Sequence, residues 1–429
     1  MFKKLLYRTS NNEYLFSIVA KIFGVLAGVI FSVLYSRYLQ AELRGTASVL
    51  STYSELATLV LCFGVYQGYP YFRKNNRYNT NNEYINIIFG FVITYIICAV
   101  FVIILFRNNV NICVIAALVP FAIGTKELNY VVMIERPKDR NVSSILLSVF
   151  DIILVLFFIL VIPVSYLSCI ALLIIKECIY FIIAVKRLNI DVLKIRPTLR
   201  GAGPYIRFGI LPMLTVIMME INYKADVVFL EWFSISKAEI GVYTLGVSLA
   251  QKIWMIPDAM KDILLSKLAK GRTKDEVCKV TRISLAVVIL FAICMVVLGK
   301  LFVDILYGSE YSDAYEILLI LLIGIVGMVF YKTIYSYNVI QGRRVRNLVL
   351  LSIAALLNIV MDLIFIPISG TIGAAVASTI SYFLCGVCFL IDFCKKTDTE
   401  YRDMLIINND DIQSFKSFFA VKTSDKKEK

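Results

Sequence analysis

"LLNIVMDLIFIPISGTIGAAVASTISY", residues 356–382, is apolar on both sides of one short, punctuated centre. Pro367 and Gly370 stand there three residues apart, a proline that interrupts helices and a glycine that lets the chain turn. The apolar run extends upstream to residue 346 and downstream to residue 393. Each arm, coiled as a helix, is long enough to cross the roughly 30 Å of a bilayer's hydrocarbon core. The stretch therefore reads as two membrane spans joined by a tight outer turn. The small residues of "GAAVAST" (373–379) let helix backbones approach closely in lipid.

The rest of the chain has the same character. Of 429 residues, 59% are hydrophobic and only 17% charged, whereas soluble domains run near about a quarter charged. Runs and breaks place spans near 14–36, 47–69, 84–106, 111–134, 142–163, 166–186, 205–229, 240–262, 281–301, 314–338, 346–367 and 371–393. The expected fold is all-α and polytopic, with about twelve transmembrane helices. The opening "MFKKLLYRTSNNEYLF" is basic but lacks a small-residue cleavage site, so it reads as retained rather than as a signal peptide. A polar tail, residues 394–429, is expected to be cytoplasmic and either mobile or lying on the membrane surface.

The net charge of +13 follows this layout. Lysines and arginines crowd the N-terminus, the tail and alternate loops, including 70–82, 187–204, 264–280 and 341–346. The intervening loops 107–110, 232–238 and 302–312 hold few. By the positive-inside rule both termini face the cytoplasm. The excess charge thus reports topology and contact with anionic lipid, and no nucleic-acid partner is expected. The ten cysteines lie mostly within spans, and Cys385 and Cys388 form a C-x-x-C inside the last span, where packing suits them better than redox chemistry. No histidine is present, which excludes His-based zinc sites, His-activated nucleophiles and His proton relays.

Two regions of the chain echo two others. "AELRGTASVLSTYSEL" (41–56) lies on "KAEIGVYTLGVSLAQK" (237–252), with Gly45 falling on Gly241 at an offset of 196. "LVIPVSYLSCIA" (160–171) lies on "IFIPISGTIGAA" (364–375), with Pro163 falling on Pro367 at an offset of 204. Two similar offsets favour six helices plus six, arranged as two parallel bundles with a substrate site between them. The division is a first bundle over 1–186, a basic cytoplasmic linker over 187–204, a second bundle over 205–393 and the tail.

At this point a family resemblance emerges. The segments "YSRYLQAELRGTASVLSTYSELATLVLCFGV" (35–65), "ADVVFLEWFSISKAEIGVYTL" (225–245), "LFVDILYGSEYSDAYEILLILL" (301–322) and the opening stretch resemble polysaccharide exporters of the multidrug/oligosaccharidyl-lipid/polysaccharide superfamily. Wzx-type flippases of O-antigen and capsule repeat units are the nearest in pattern. The most specific part has Asn358, Pro367, Gly370, Gly373 and Ala374 in register. The resemblance implies two six-helix bundles around a central cavity open to one side at a time. It also implies that the first, second, seventh and eighth helices are prominent in the cavity walls.

Charged residues inside spans are the candidate site. "MMEINYKADVVFLEW" (218–232) places Glu220, Lys224 and Asp226 within two helical turns at membrane depth, where ionisable groups mark interiors or water-filled paths. Glu220 and Lys224 are four apart, acid first, and can pair along the helix. Either this pair neutralises itself and pins two helices, or it lines a hydrated cavity; Asp226 can instead reach an outer interface marked by Trp232 and Phe233. Polar stripes recur with Ser17, Lys21, Gly24 and Gly28 on the first span, and Ser48, Ser51, Thr52 and Glu55 on the second. The eighth carries Thr244, Ser248, Gln251 and Asp258, with Lys252 beside them. Lys332 sits in "YKTIYSYNVIQG", whose tyrosines suit either sugar stacking or interfacial packing. Summed over all spans, lysines do not outnumber carboxylates.

The resemblance then implies a non-enzymatic carrier that flips an undecaprenyl-pyrophosphate-linked oligosaccharide from the inner to the outer leaflet of a bacterial plasma membrane. Its partners would be that lipid, the surrounding lipids, a polysaccharide polymerase and chain-length proteins. Lys21, Lys224 and Lys252 are the expected head-group contacts, since ammonium binds phosphate as a point charge and releases it readily. Glu55 and Glu220 are the expected coupling carboxylates, for protons or sodium, with no other cofactor. Two rivals share the superfamily. A drug/cation antiporter would favour cavity acids without lysines, and a lipid II flippase would favour fourteen spans. A membrane polymerase or ligase would need a large outer loop, and every outer loop here is short. "NNDD" (408–411) reads as solvated loop rather than a metal site.

Overall fold

The computed structural model describes residues 13–74, 80–269, 274–408 and Asp411; for 13–22 and scattered helical positions the description is of backbone alone. Among them all regular structure is helical. The elements are α1 (Glu13–Leu61), α2 (Val65–Lys74), α3 (Thr80–Leu105), α4 (Val110–Glu135), α5 (Pro137–Val161) and α6 (Tyr166–Arg187). They continue with α7 (Ala202–Trp232), α8 (Lys237–Ala269), α9 (Lys274–Leu306), α10 (Ala314–Ile340), α11 (Arg344–Thr397) and the short α12 (Tyr401–Leu405).

Two of these helices are hairpins rather than rods. In α11, Gly370 takes φ 55° and ψ −127°, a conformation open to glycine and costly for other residues. The chain folds back there: a Cβ at Gly373 would overlap the Phe365 carbonyl, and Ser381 Oγ donates to the Ala354 carbonyl at 2.8 Å. A straight helix would separate those two residues by about 40 Å. α1 breaks likewise at Gln40 (φ 61°, ψ 176°), and Arg44 donates to Ser36 Oγ across the break. With both hairpins split and α2 continuing the second arm of α1, twelve spans cross the layer among the described residues. The expected second span, 47–69, is interrupted at Phe63 (φ 47°) and Gly64 (φ 66°). Gly64 lies backbone to backbone against Gly209 of α7, an approach that an unbroken helix with a side chain there could not make.

Among the described residues, nine helices are long and apolar enough to cross a membrane by length and composition. α8 is left out of that set, with Lys252, Asp258 and Lys261 along it. Leu160, Leu290, Val297 and Ile368 project outward as apolar surface of the kind that lipid covers. α10 is the exception, with 78% of its apolar window buried, and it forms the axle of the second bundle. That bundle has one continuous core, whereas the first is divided into three smaller clusters.

The bundles meet where the sequence repeats. Gly45 and Gly241 touch through their backbones, and Ser48 Oγ lies 3.0 Å from Thr244 Oγ1, both pairs at the offset of 196. Residues that meet their own equivalents lie on a two-fold axis. This end, outer in the charge-based orientation, is further sealed by Arg37, which donates to the Ile305 and Leu306 carbonyls at 2.7 Å. The Tyr311 hydroxyl donates to the Ser36 carbonyl at 3.0 Å.

The tail departs from expectation. Its first part is docked under α9: Met404 is fully buried, and Arg282 donates to both Asp411 oxygens at 2.6 and 3.0 Å. Asp411, from "NNDD", thus serves as an anchor for the tail. Residues 412–429 lie outside the described residues.

Candidate functional site

A cavity of about 230 Å³ lies between the bundles, walled by the second arm of α1, α4, α6 and α7. Lys224 is its centre. The Lys224 ammonium donates to Glu55 of α1, across the interface, and sits 3.1 Å from Glu220 one turn below on its own helix. Three of the residues expected from sequence are thereby brought together, in a triad with net charge −1. Neither the ammonium nor the Glu220 carboxylate is fully buried and the Glu55 side chain is 54% exposed, so the triad is open to water. An incoming anion can compete with Glu55 for Lys224 without first stripping a dry ion pair.

Lys126 of α4 also lines the cavity, its ammonium 5.1 Å from the centre of the Tyr66 ring. Its neighbour Glu127 points away and is buried, accepting from the Tyr84 hydroxyl at 2.7 Å. Glu177 and Tyr180 complete the polar wall. This part of the cavity holds more carboxylates than ammoniums.

Lys252 is placed elsewhere. Its Nζ would lie 3.1 Å from a Cβ added at Gly28, so a glycine on the first arm of α1 makes the room that the lysine occupies. Lys252 has no hydrogen bond or ion pair among the described residues, and the charges that act on it are Arg44 and Lys176, both cationic. Lys176 lies over the Phe31 and Tyr180 rings and 3.6 Å from Asp151. The acid-rich lining around Lys224 is thus distinct from a group of cations around Lys252, and Tyr180, which lines the cavity and carries Lys176 over its ring, adjoins both. Lys21 falls among the residues whose side chains lie outside the description.

A second polar cluster, inside the second bundle, escaped the sequence reading. Asp226 does not reach the outer interface. It is 1% exposed, accepts from the Tyr243 hydroxyl and from Ser378 Oγ at 3.3 Å, and faces α8 and the second arm of α11. The physical reason is depth: α7 runs on to Trp232, six residues or about 9 Å further, and Trp232 takes the exposed position instead. Asp362 lies within electrostatic reach of the same site; it is fully buried and, among the described residues, neither of its oxygens has a hydrogen-bond partner. Asn358, one turn earlier, is equally buried, and neither end of its amide has a partner among the described residues. Orphaned buried carboxylates are rare and costly. The carboxylates of Asp226 and Asp362 share this buried site, and Ser378 adds an oxygen beside Asp226, an arrangement that suits a shared proton or a bound cation. The spacing of Asn358 and Asp362, four apart beside the Pro–Gly turn, was the signal in the sequence.

The cysteines are all free, with Cys385 buried and Cys388 half-buried in helix packing.

By sequence, no family model and no curated protein matches the chain. Solved structures do match. The lipid II flippase MurJ, in an inward closed conformation, superposes with a TM-score of 0.74 at 16% identity, covering 97% of this chain and 94% of that one. An inward-facing multidrug resistance MATE family transporter of the MOP superfamily gives 0.66 at 13% identity, covering 90% and 100%. A MOP superfamily transporter from Pyrococcus furiosus, described as having a binding pocket of reverse polarity, gives 0.54 at 13%, covering 90% and 96%. At such identities the likeness shows the fold: two six-helix bundles around a central cavity, shared by flippases and transporters.

Proposed function

We propose that this protein is a flippase that moves undecaprenyl-pyrophosphate-linked oligosaccharide repeat units from the inner to the outer leaflet of a bacterial plasma membrane. The observation that carries the reading is the Lys224 ammonium, held between the bundles by Glu55 of one and Glu220 of the other. The task is to carry a polar anionic head group across roughly 30 Å of hydrocarbon while its lipid tail stays in the bilayer. An anionic head group that takes Lys224 from Glu55 breaks a contact joining the bundles at mid-depth. Binding then favours one arrangement of the bundles over the other, as alternating access requires. Lys252, Lys21 and the cations around Lys252 receive the phosphates next, and the outer seal at Gly45 and Gly241 opens to release them.

Coupling is assigned to carboxylates. Glu55 and Glu220 sense the head group through Lys224. The Asp226–Asp362 pair supplies a buried site where a sodium ion or proton would bind, drawing α7, α8 and both arms of α11 together. A polysaccharide polymerase and chain-length proteins would consume the product at the outer face. The likeness to MurJ supports a lipid-linked substrate and keeps lipid II as a second candidate cargo. The carboxylate excess around Lys224 favours one other reading, a drug/cation antiporter, which a direct efflux assay distinguishes.

The test is reconstitution. Purified protein in liposomes holding a fluorescent undecaprenyl-pyrophosphoryl oligosaccharide should equilibrate that lipid between leaflets, read by quenching from outside. Exchange no faster than in protein-free vesicles would remove the proposal.

A further inference from the structure

A second cavity, about 300 Å³, opens inside the second bundle next to the first. Met219 lines it while Glu220, the next residue on α7, lines the central cavity, so the two spaces lie on adjoining sides of α7. Its walls are aromatic. Tyr331 and Tyr335 of α10 meet edge to face at 5.7 Å, and Tyr223 of α7 rests on the Trp254 ring at 5.0 Å. Its polar groups are fixed in place: Lys332 donates to both Asp258 oxygens at 2.8 and 2.7 Å while lying 5.1 Å from the Trp254 ring, and Lys261 stands 3.9 Å from Asp258. Among the described residues, the buried hydroxyl of Tyr223 in the wall and the buried indole N–H of Trp254 behind it have no hydrogen-bond partner. Buried donors without partners point to a missing acceptor.

We infer that this cavity is the sugar subsite of the carrier, taking a pyranose ring of the lipid-linked glycan while the head group engages Lys224. The inference rests on the flippase reading above. Pyranose rings present a face of C–H groups that packs on aromatic rings, and a rim of hydroxyls that both donate and accept. Tyr331, Tyr335 and Tyr223 supply the faces. The Asp258 carboxylate accepts from ring hydroxyls, and Lys332 and Lys261 donate to them. Two ammoniums against one carboxylate leave the pocket net positive, which disfavours the organic cations that aromatic cages otherwise attract. The volume lies at the small end for ligand pockets and suits one or two sugar units, with the rest of the glycan left in the central cavity.

The test compares two cargoes in proteoliposomes: undecaprenyl-pyrophosphoryl-N-acetylglucosamine and bare undecaprenyl pyrophosphate. Wild-type protein should prefer the glycosylated lipid. Tyr335→Ala, at a half-exposed position, should lower that preference about tenfold, the scale of one lost aromatic contact. Tyr335→Phe, which keeps the ring, should retain it. Lys224→Ala should slow both lipids alike. A wild-type protein without preference, or a Tyr335→Ala variant that keeps it or slows both lipids equally, would overturn the subsite. Wild-type protein that moves neither lipid would instead remove the flippase reading on which the subsite rests.

Discussion

Gly45 and Gly241 set the distance between the bundles, because a Cβ on either would overlap a backbone carbonyl, of Lys237 or of Ala41. Gly45→Val should therefore force α1 and α8 apart, costing about 1–3 kcal/mol and opening the outer seal. A cysteine introduced at Ser48 should then react with an impermeant maleimide from outside, as it should not in the wild-type background. At Asp362 the prediction concerns ions. Asp362→Asn keeps size and removes the charge, so flipping should lose its dependence on a sodium or proton gradient while the protein still accumulates; a gradient response equal to wild type would place coupling elsewhere. Residue by residue, the sequence disclosed what lies within one helical turn. Glu220 and Lys224 were legible as a pair because four residues bring them onto one face. Glu55, 169 positions from Lys224, was legible only as a carboxylate at membrane depth. Asp226 was misplaced because periodicity gives a face and not a depth relative to neighbouring helices.

Among the elements, α11 was the most readable. Proline and glycine three residues apart inside an apolar run have few uses but a hairpin, and Gly370 has the positive φ that this demands. The break after Leu61 was not readable, since Phe63 takes a positive φ with no local reason and only the Gly64–Gly209 contact explains it. The docked tail was also hidden: polar composition describes solubility, while the anchor is one buried carboxylate. Burial pushes the Asp411 carboxyl up, and the hydrogen bonds from Arg282 outweigh it, holding the group below the usual carboxylate range. A depressed folded value means that the contribution to stability is complete above about pH 4 and is lost as pH falls through the depressed value. Asp411→Asn should cost about 3 kcal/mol, the loss of one partner of a buried pair. Protease should then cut the segment between α12 and residue 411 faster at pH 7, with the variant matching what wild type shows only in acid. Equal cutting of the two proteins at neutral pH would mean that the anchor carries no weight.

At the scale of the whole molecule, twelve spans and two bundles followed from run lengths, positive-inside loops and two repeat offsets, all properties that a bilayer imposes on sequence. The separation of the acid-rich cavity around Lys224 from the cations around Lys252 did not follow, because it depends on which way each charged helix turns. Orientation can be checked at Leu193, which is almost wholly exposed in the short turn Val192–Lys194. In a cysteine-free background, Leu193→Cys should react with impermeant maleimide only after permeabilisation, and labelling of intact cells would invert the topology. The central claim is that Lys224 serves the cargo and does not merely tie the bundles together. Replacing Glu55 and Glu220 with Gln and Lys224 with Met removes the triad's charges together, leaving side chains of similar size and no unpaired ion. Flipping of undecaprenyl-pyrophosphoryl oligosaccharide by this triple variant, measured in proteoliposomes at matched protein level, decides the matter. A properly inserted protein that no longer flips the lipid is the predicted result, and flipping at the wild-type rate would contradict the account.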